Sequence, residues 1–276
     1  MHTFSDGRHE HGQNFLTDPR TIARFTELVA QTSGPILEVG PGRGALTLPM
    51  EKLGRPITAV EIHPKMAKQV AARTGRRTTV VTGDFLDHPL PREPHVVVGN
   101  LPFHVTTAIL RKLLHSPHWT EAVLITQWEV ARRRAGVGGA TMMTAHWAPF
   151  YEFGLAGRVP ARAYTPAPSV DAGILTITRR SSPLLPWRQR KQYAAFVHRV
   201  FTGPGRGVGQ VLQRTTGVTR RQAGQWLGEL GVRASALPKD LTAEQWAGLY
   251  ERAPQARRGA GKTERAGPRR SSPRRR

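Results

Sequence analysis

Apolar positions along the chain alternate between a helical period and short continuous runs. After a polar, His-rich leader over residues 1–12, Asp18-Pro19 places an N-cap residue before proline at the first helical position, and Ile22, Phe25, Leu28 and Val29 recur at helical spacing. Residues 35–39 form a short apolar run that predicts a strand ending in Gly40-Pro41-Gly42-Arg43-Gly44. A helix over 45–53, a strand over 57–62, a helix over 64–74 and strands over 79–82 and 95–98 follow. Then come a helix over 106–115 and a strand over 122–126. Strands alternating with helices of about ten residues predict an α/β domain, a mostly parallel sheet with helices on both faces. Two later runs, 152–159 and 172–178, have no helix between them and predict an antiparallel hairpin at the sheet edge.

The pattern breaks at Arg179-Arg180-Ser181-Ser182-Pro183, and beyond it only helical periods remain: 187–201, 207–215, 219–230 and 242–250. Asp240 and Thr242 ahead of Glu244 supply the start of the last. The predicted organisation is therefore a leader with an N-terminal motif (1–17), an α/β domain (18–180), a small all-helical domain (183–253) with Trp187, Trp226 and Trp246 in its core, and a tail (254–276).

Charge changes the picture from fold to partner. The 276 residues carry 41 Lys+Arg against 19 Asp+Glu, a net +22. A bias toward arginine explains 34 Arg beside 7 Lys, but not the surplus of positive charge. The tail holds nine basic residues and one acidic, Glu264, with almost nothing apolar, and reads as a disordered basic segment. The other 253 residues still carry +14, so the folded part is itself suited to a polyanion, and nucleic acid fits best. Arg132-Arg133-Arg134 serves either as a solvated helix face or as an RNA phosphate contact. The absence of cysteine excludes disulfides, thiolate metal sites and a Cys nucleophile. His9-Glu10-His11 lacks metal-ligand spacing, so no metal is expected. No apolar run approaches the roughly 18 residues of a membrane-spanning helix, and the leader has no apolar signal core. A cytoplasmic protein without a membrane partner is expected.

The few carboxylates mark the chemistry. The glycine cluster after the first strand departs from the dinucleotide fingerprint, being G-x-G-x-G, but its glycines admit a ligand close to the main chain. Glu61 ends the next strand, where a carboxylate can bind both hydroxyls of a ribose. Asp84, in Gly83-Asp84-Phe85, follows the third strand and can accept from an adenine amino group while Phe85 covers the ring. Asn100-Leu101-Pro102-Phe103 follows the fourth. Proline stiffens that loop, which offers an amide oxygen, a main-chain carbonyl and an aromatic face, the parts needed to hold a flipped purine.

Together Gly12-Gln13-Asn14-Phe15-Leu16, Glu38-Val39-Gly40-Pro41-Gly42, Glu61, Asp84, Asn100-Leu101-Pro102-Phe103 and Tyr164-Thr165-Pro166-Ala167-Pro168-Ser169-Val170-Asp171 resemble the rRNA adenine-N6 methyltransferases. That superfamily holds the small-subunit rRNA dimethylases and the Erm macrolide-resistance methylases. Residues 126–132 and 138–142, with the basic tail, resemble the actinobacterial Erm branch. The resemblance implies a Rossmann-like class I S-adenosylmethionine-dependent methyltransferase sheet, S-adenosylmethionine as methyl donor, and a monomer acting on 23S rRNA. It implies cofactor contacts from Asn14, Leu16, Gly40, Glu61, Asp84 and Asn100. Asn100, Leu101 and Phe103 would act on the target base, with Phe103 and Tyr164 stacking on it. Many relatives carry Tyr at the Phe103 position and Phe at the Tyr164 position, which leaves open whether one methyl or two are added. A housekeeping 16S rRNA dimethylase and a non-catalytic RNA-binding assembly factor stay as alternatives.

Overall fold

The computed structural model describes residues 14–253. The leader, its His9-Glu10-His11 triplet, Gly12-Gln13 and the basic tail lie outside the described residues. Two compact units divide between Pro183 and Leu184.

The first unit is an α/β layer structure. Helix α1 (Pro19–Ala30) starts where Asp18 Oδ2 accepts the Thr21 N–H at 2.8 Å, and it buries Thr21, Phe25 and Val29. Strands β2 (Ile36–Val39), β3 (Ile57–Glu61), β4 (Thr78–Thr82), β5 (His95–Asn100) and β6 (Trp119–Gln127) pair in parallel, in the spatial order β4-β3-β2-β5-β6. Antiparallel β9 (Ala172–Arg179) lies beside β6, and β7 (Tyr151–Val159) forms the outer edge. Along β7 the register slips between Leu155 and Gly157, a bulge whose Ala156 carbonyl accepts from Arg24 of α1. The continuous apolar runs of β2 and β5 are buried because helices cover both faces. Their residues Ile36, Val96 and Val98 pack in one cluster with Phe25 and Val29 of α1 and Val123 and Ile125 of β6.

Boundaries moved where side chains outside the simple pattern took part. The helix expected over 45–53 is one turn, α2 (Thr47–Met50), continued by a 3-10 turn to Leu53, and Gly54 stops it in the left-handed region at φ 67°. Helix α3 (Pro64–Ala71) is shorter than expected, whereas α4 (Thr106–His115) has the expected bounds. Strand β6 begins early because Trp119 is fully buried and its indole N–H donates to the Leu113 carbonyl at 2.6 Å. Two helices were not expected, α5 (Trp128–Arg134) and α6 (Met142–Trp147). Between β7 and β9 the chain also makes a 3-10 turn (Ala161–Ala163) and strand β8 (Tyr164–Thr165), which pairs antiparallel with β1 (Phe15–Leu16).

The second unit holds α7 (Arg190–Thr202), α8 (Val208–Thr216), α9 (Arg220–Glu229) and α10 (Ala243–Arg252). Capping boxes start α9 (Thr219 with Gln222) and α10 (Thr242 with Gln245, rather than Glu244). Of the three tryptophans expected in its core only Trp246 is buried, edge-on to Phe196; Trp187 and Trp226 are half-buried. Among the described residues no helix is long and apolar enough to cross a membrane.

Candidate active site

The strand order places the singled-out residues in a row. Asp84, Glu61, Gly40 and Asn100 stand at or just past the carboxyl ends of β4, β3, β2 and β5, four neighbouring parallel strands. At about 4.8 Å per strand the row spans roughly 14 Å. The order in which successive strands are added reverses between the parallel neighbours β2 and β5, and in such sheets ligands settle at that switch point. Gly99 marks it: a Cβ there would lie 2.6 Å from the Val39 carbonyl oxygen, so only glycine lets the two strands close up.

Glu61 organises the glycine loop. Its Oε2 accepts the Gly42 N–H at 2.9 Å and its Oε1 the His63 N–H at 3.0 Å. Each carboxylate oxygen keeps acceptor capacity for a ribose hydroxyl. Gly40 sits at φ 65°, and a Cβ there would meet nothing within 4 Å, so the loop borders open space. Phe15 lies 3.7 Å from a Cβ built on Gly42, and the Arg43 guanidinium sits 4.0 Å above the Phe15 ring. The N-terminal motif thereby joins the loop, with Asn14 half-buried before β1 and Leu16 buried in the apolar cluster.

Beneath the loop lies Glu38, 1 % exposed, with Oε2 making no hydrogen bond. Burial pushes its carboxyl up to about 8; the Thr47 hydroxyl pulls the other way, while the charge of Glu61 adds to the rise. The motif Glu38-Val39-Gly40-Pro41-Gly42 gives no sign in the sequence that this carboxyl is held neutral.

The Asn100–Phe103 loop is pinned from both sides. Leu101 N–H donates to the Ile125 carbonyl at 2.9 Å. Thr106 Oγ1 donates to the Pro102 carbonyl at 3.1 Å and pairs with Thr126 Oγ1 at 3.1 Å, both threonines being buried. Phe103 is half-buried and packs on the core cluster.

Tyr164 departs from expectation. Its ring, 5 % exposed, belongs to the core cluster and offers no open face for stacking on a base. Its hydroxyl instead donates to Asn100 Oδ1 at 3.3 Å, and burial raises the phenol's pKa. Asp171 holds the turn that leads into Tyr164: its carboxylate accepts from Ala161 N–H (2.8 Å) and Arg158 Nε (2.6 Å), which keep it below the usual carboxylate range.

Asp84 is exposed, and its Oδ1 accepts the Leu86 N–H at 2.8 Å. Phe85 is buried, with the Lys112 ammonium 5.4 Å from its ring centroid, so the ring is no free cover for a base. On α5 the arginine run divides. Arg132 and Arg133 pair with Glu129 at 3.0 and 4.0 Å, Arg134 donates to Thr141 Oγ1 at 2.7 Å, and only Arg133 is exposed.

Comparison with known proteins adds an independent view. Residues 4–255 match the ribosomal RNA adenine dimethylase family. The chain is 58 % identical over 215 residues to an rRNA adenine N-6-methyltransferase of Corynebacterium diphtheriae, covering 78 % of this chain and 85 % of that one. It is 46 % identical to the mycinamicin-resistance protein MyrB of Micromonospora griseorubida, over 88 % of this chain and 78 % of that one. Among solved structures, the 23S rRNA methyltransferase ErmE superposes with a TM-score of 0.80 at 35 % identity, covering 87 % of this chain and 99 % of that one.

Proposed function

The chain belongs to the ribosomal RNA adenine dimethylase family, and from that premise we propose that it methylates N6 of one adenine in 23S rRNA, giving macrolide–lincosamide–streptogramin B resistance. It is an S-adenosylmethionine-dependent rRNA adenine N6-methyltransferase with a Rossmann-like domain. The observation that carries the 23S assignment is the likeness to a 23S rRNA methyltransferase across 87 % of the chain.

The strand-end row fits the methyl donor. A carboxylate at Asp84 suits an adenine amino group, and Glu61 suits the ribose. The open space at Gly40 suits the amino-acid arm, with the N-terminal motif of Asn14 and Leu16 brought to the same loop by Phe15. When bound, S-adenosylmethionine supplies an electrophilic methyl group on its sulfonium.

The protein must make a poor nucleophile competent, because the adenine amine delocalises its lone pair into the ring. Asn100 Oδ1 and the Leu101 carbonyl accept the two N6–H groups, which favours a pyramidal nitrogen and aims its lone pair along the transfer line. Phe103 stacks on the extruded base. Pinning by Thr106, Thr126 and Ile125 means that this arrangement needs no reorganisation during reaction, so positioning supplies much of the acceleration. The proton leaves to water after transfer, so no strong base is needed. The enzyme acts as a monomer in the cytoplasm, where its rRNA substrate is made.

The test supplies labelled S-adenosylmethionine with protein-free 23S RNA or with assembled 30S particles, maps the label and weighs the product. Label at one adenine of 23S RNA is the expected result. Label on 30S particles alone indicates the housekeeping dimethylase, and RNA binding without transfer indicates an assembly factor.

A further inference from the structure

Lys112 lies on α4 away from the face formed by the buried Ile109, Leu110, Leu113 and Leu114, yet it is half-buried rather than free in solvent. Its Nζ donates to three main-chain carbonyls, those of Phe85 (2.8 Å), Leu86 (2.7 Å) and His88 (2.5 Å). An ammonium has three protons, so the group is fully used. Burial lowers its pKa, and the charges of Asp87 and Asp84 oppose that.

All three acceptors lie on one turn, and Asp84 opens it. From within, Asp84 Oδ1 accepts the Leu86 N–H, and its main-chain carbonyl accepts from Asp87 and His88 N–H at 3.1 and 3.0 Å. From outside, Lys112 gathers the carbonyls that this turn leaves over. The turn follows β4 with no strand or helix of its own. Helix α4, which carries Lys112, begins three residues after Phe103. One side chain thus ties the turn at one end of the site to the helix that issues from the loop at the other.

We propose that Lys112 is a positioning residue, which holds Asp84 at the height and angle needed to accept the cofactor's adenine amino group. Lys112 therefore sets purine selectivity without touching the cofactor. The inference rests on Asp84 being the adenine acceptor.

The test measures calorimetric binding of S-adenosylhomocysteine and of its 6-oxo counterpart, S-inosylhomocysteine, to the full chain and its variants. The wild type favours the amino form by at least about tenfold, the worth of one charge-assisted hydrogen bond. Lys112→Met loses most of that preference, because affinity for the amino form falls while that for the oxo form hardly moves. In methyl transfer the KM for S-adenosylmethionine rises more than kcat falls. A purely structural role would lower Tm and weaken both ligands alike, so an unchanged ratio overturns the proposal. Should Lys112→Met not fold, Lys112→Gln is read by the same ratio. Asp84→Ala separates the two levels. If it abolishes the preference and the Lys112 variants keep it, only the role of Lys112 falls; if it keeps the preference, the adenine assignment falls and the role of Lys112 with it.

Discussion

A carboxyl held neutral under the glycine loop makes this fold pH-sensitive in a defined direction, and Glu38→Gln isolates the effect. In the unfolded chain Glu38 titrates at its ordinary 4.5; folded, burial holds it at about 8. Between these values the native state binds the extra proton, so stability falls as pH rises. Below pH 4.5 both states are protonated and the group contributes nothing to the slope. Above about 8 both are ionised and the full penalty is present. The limiting slope is about 1.4 kcal/mol per pH unit, which amounts to roughly 3 kcal/mol at pH 7. Gln has nearly the same shape and no such titration. The groups whose pKa burial lowers, His88 and His95, bend the curve the other way, but they do so equally in both proteins. Unfolding in urea at pH 5.5, 6.5 and 7.5 reads the difference between wild type and Glu38→Gln. That difference should move by about 2 to 3 kcal/mol in favour of the variant across the range, whatever its starting value. A difference that stays constant with pH would show that Glu38 ionises normally in the folded protein, and the reasoning would fail.

The remaining predictions concern the loop after β5 and the tail. Asn100→Ala should lose about two to three orders of magnitude in kcat, far more than the about 1–3 kcal/mol of stability lost by stranding the buried Tyr164 hydroxyl, read by labelled methyl transfer beside thermal unfolding. Thr106→Val strands the buried Thr126 hydroxyl and frees the Pro102 carbonyl; it should cost about 1–3 kcal/mol in urea unfolding and lower kcat more than it raises the cofactor KM. Phe103→Ala should weaken base capture by about 1–3 kcal/mol while cofactor affinity holds, and Phe103→Tyr should restore turnover. Truncation after Ala253 removes a net charge of +8; it should weaken RNA binding and flatten its dependence on salt, yet leave the methylated position unchanged in product mapping.

The parallel part of the sheet was legible chiefly through β2, β3 and β5, short apolar runs closed by glycine or a carboxylate, and helix α4 because Ile109, Leu110, Leu113 and Leu114 keep strict spacing on one face. Helices α5 and α6 were not: α5 buries Ala131 alone and ends in three arginines, so no apolar stripe announces it. Tyr164 was legible as an aromatic of the site, but a sequence does not say which way a ring turns. Here it turns into the core and presents only its hydroxyl to Asn100. The clamp by Lys112 was invisible because its partners are main-chain carbonyls, which carry no residue identity.

The bulge in β7 bears on behaviour at high concentration. A nine-residue edge strand ordinarily offers a ladder of unpaired amides on which another chain can stack. In β7 the slip between Leu155 and Gly157 breaks that ladder near its middle, and Arg24 already occupies the Ala156 carbonyl. With Arg158 next to the break, the edge offers no uninterrupted run for a second β7 to template on. Sheet-to-sheet aggregation is thereby discouraged on that flank by local geometry rather than by the chain's large positive charge.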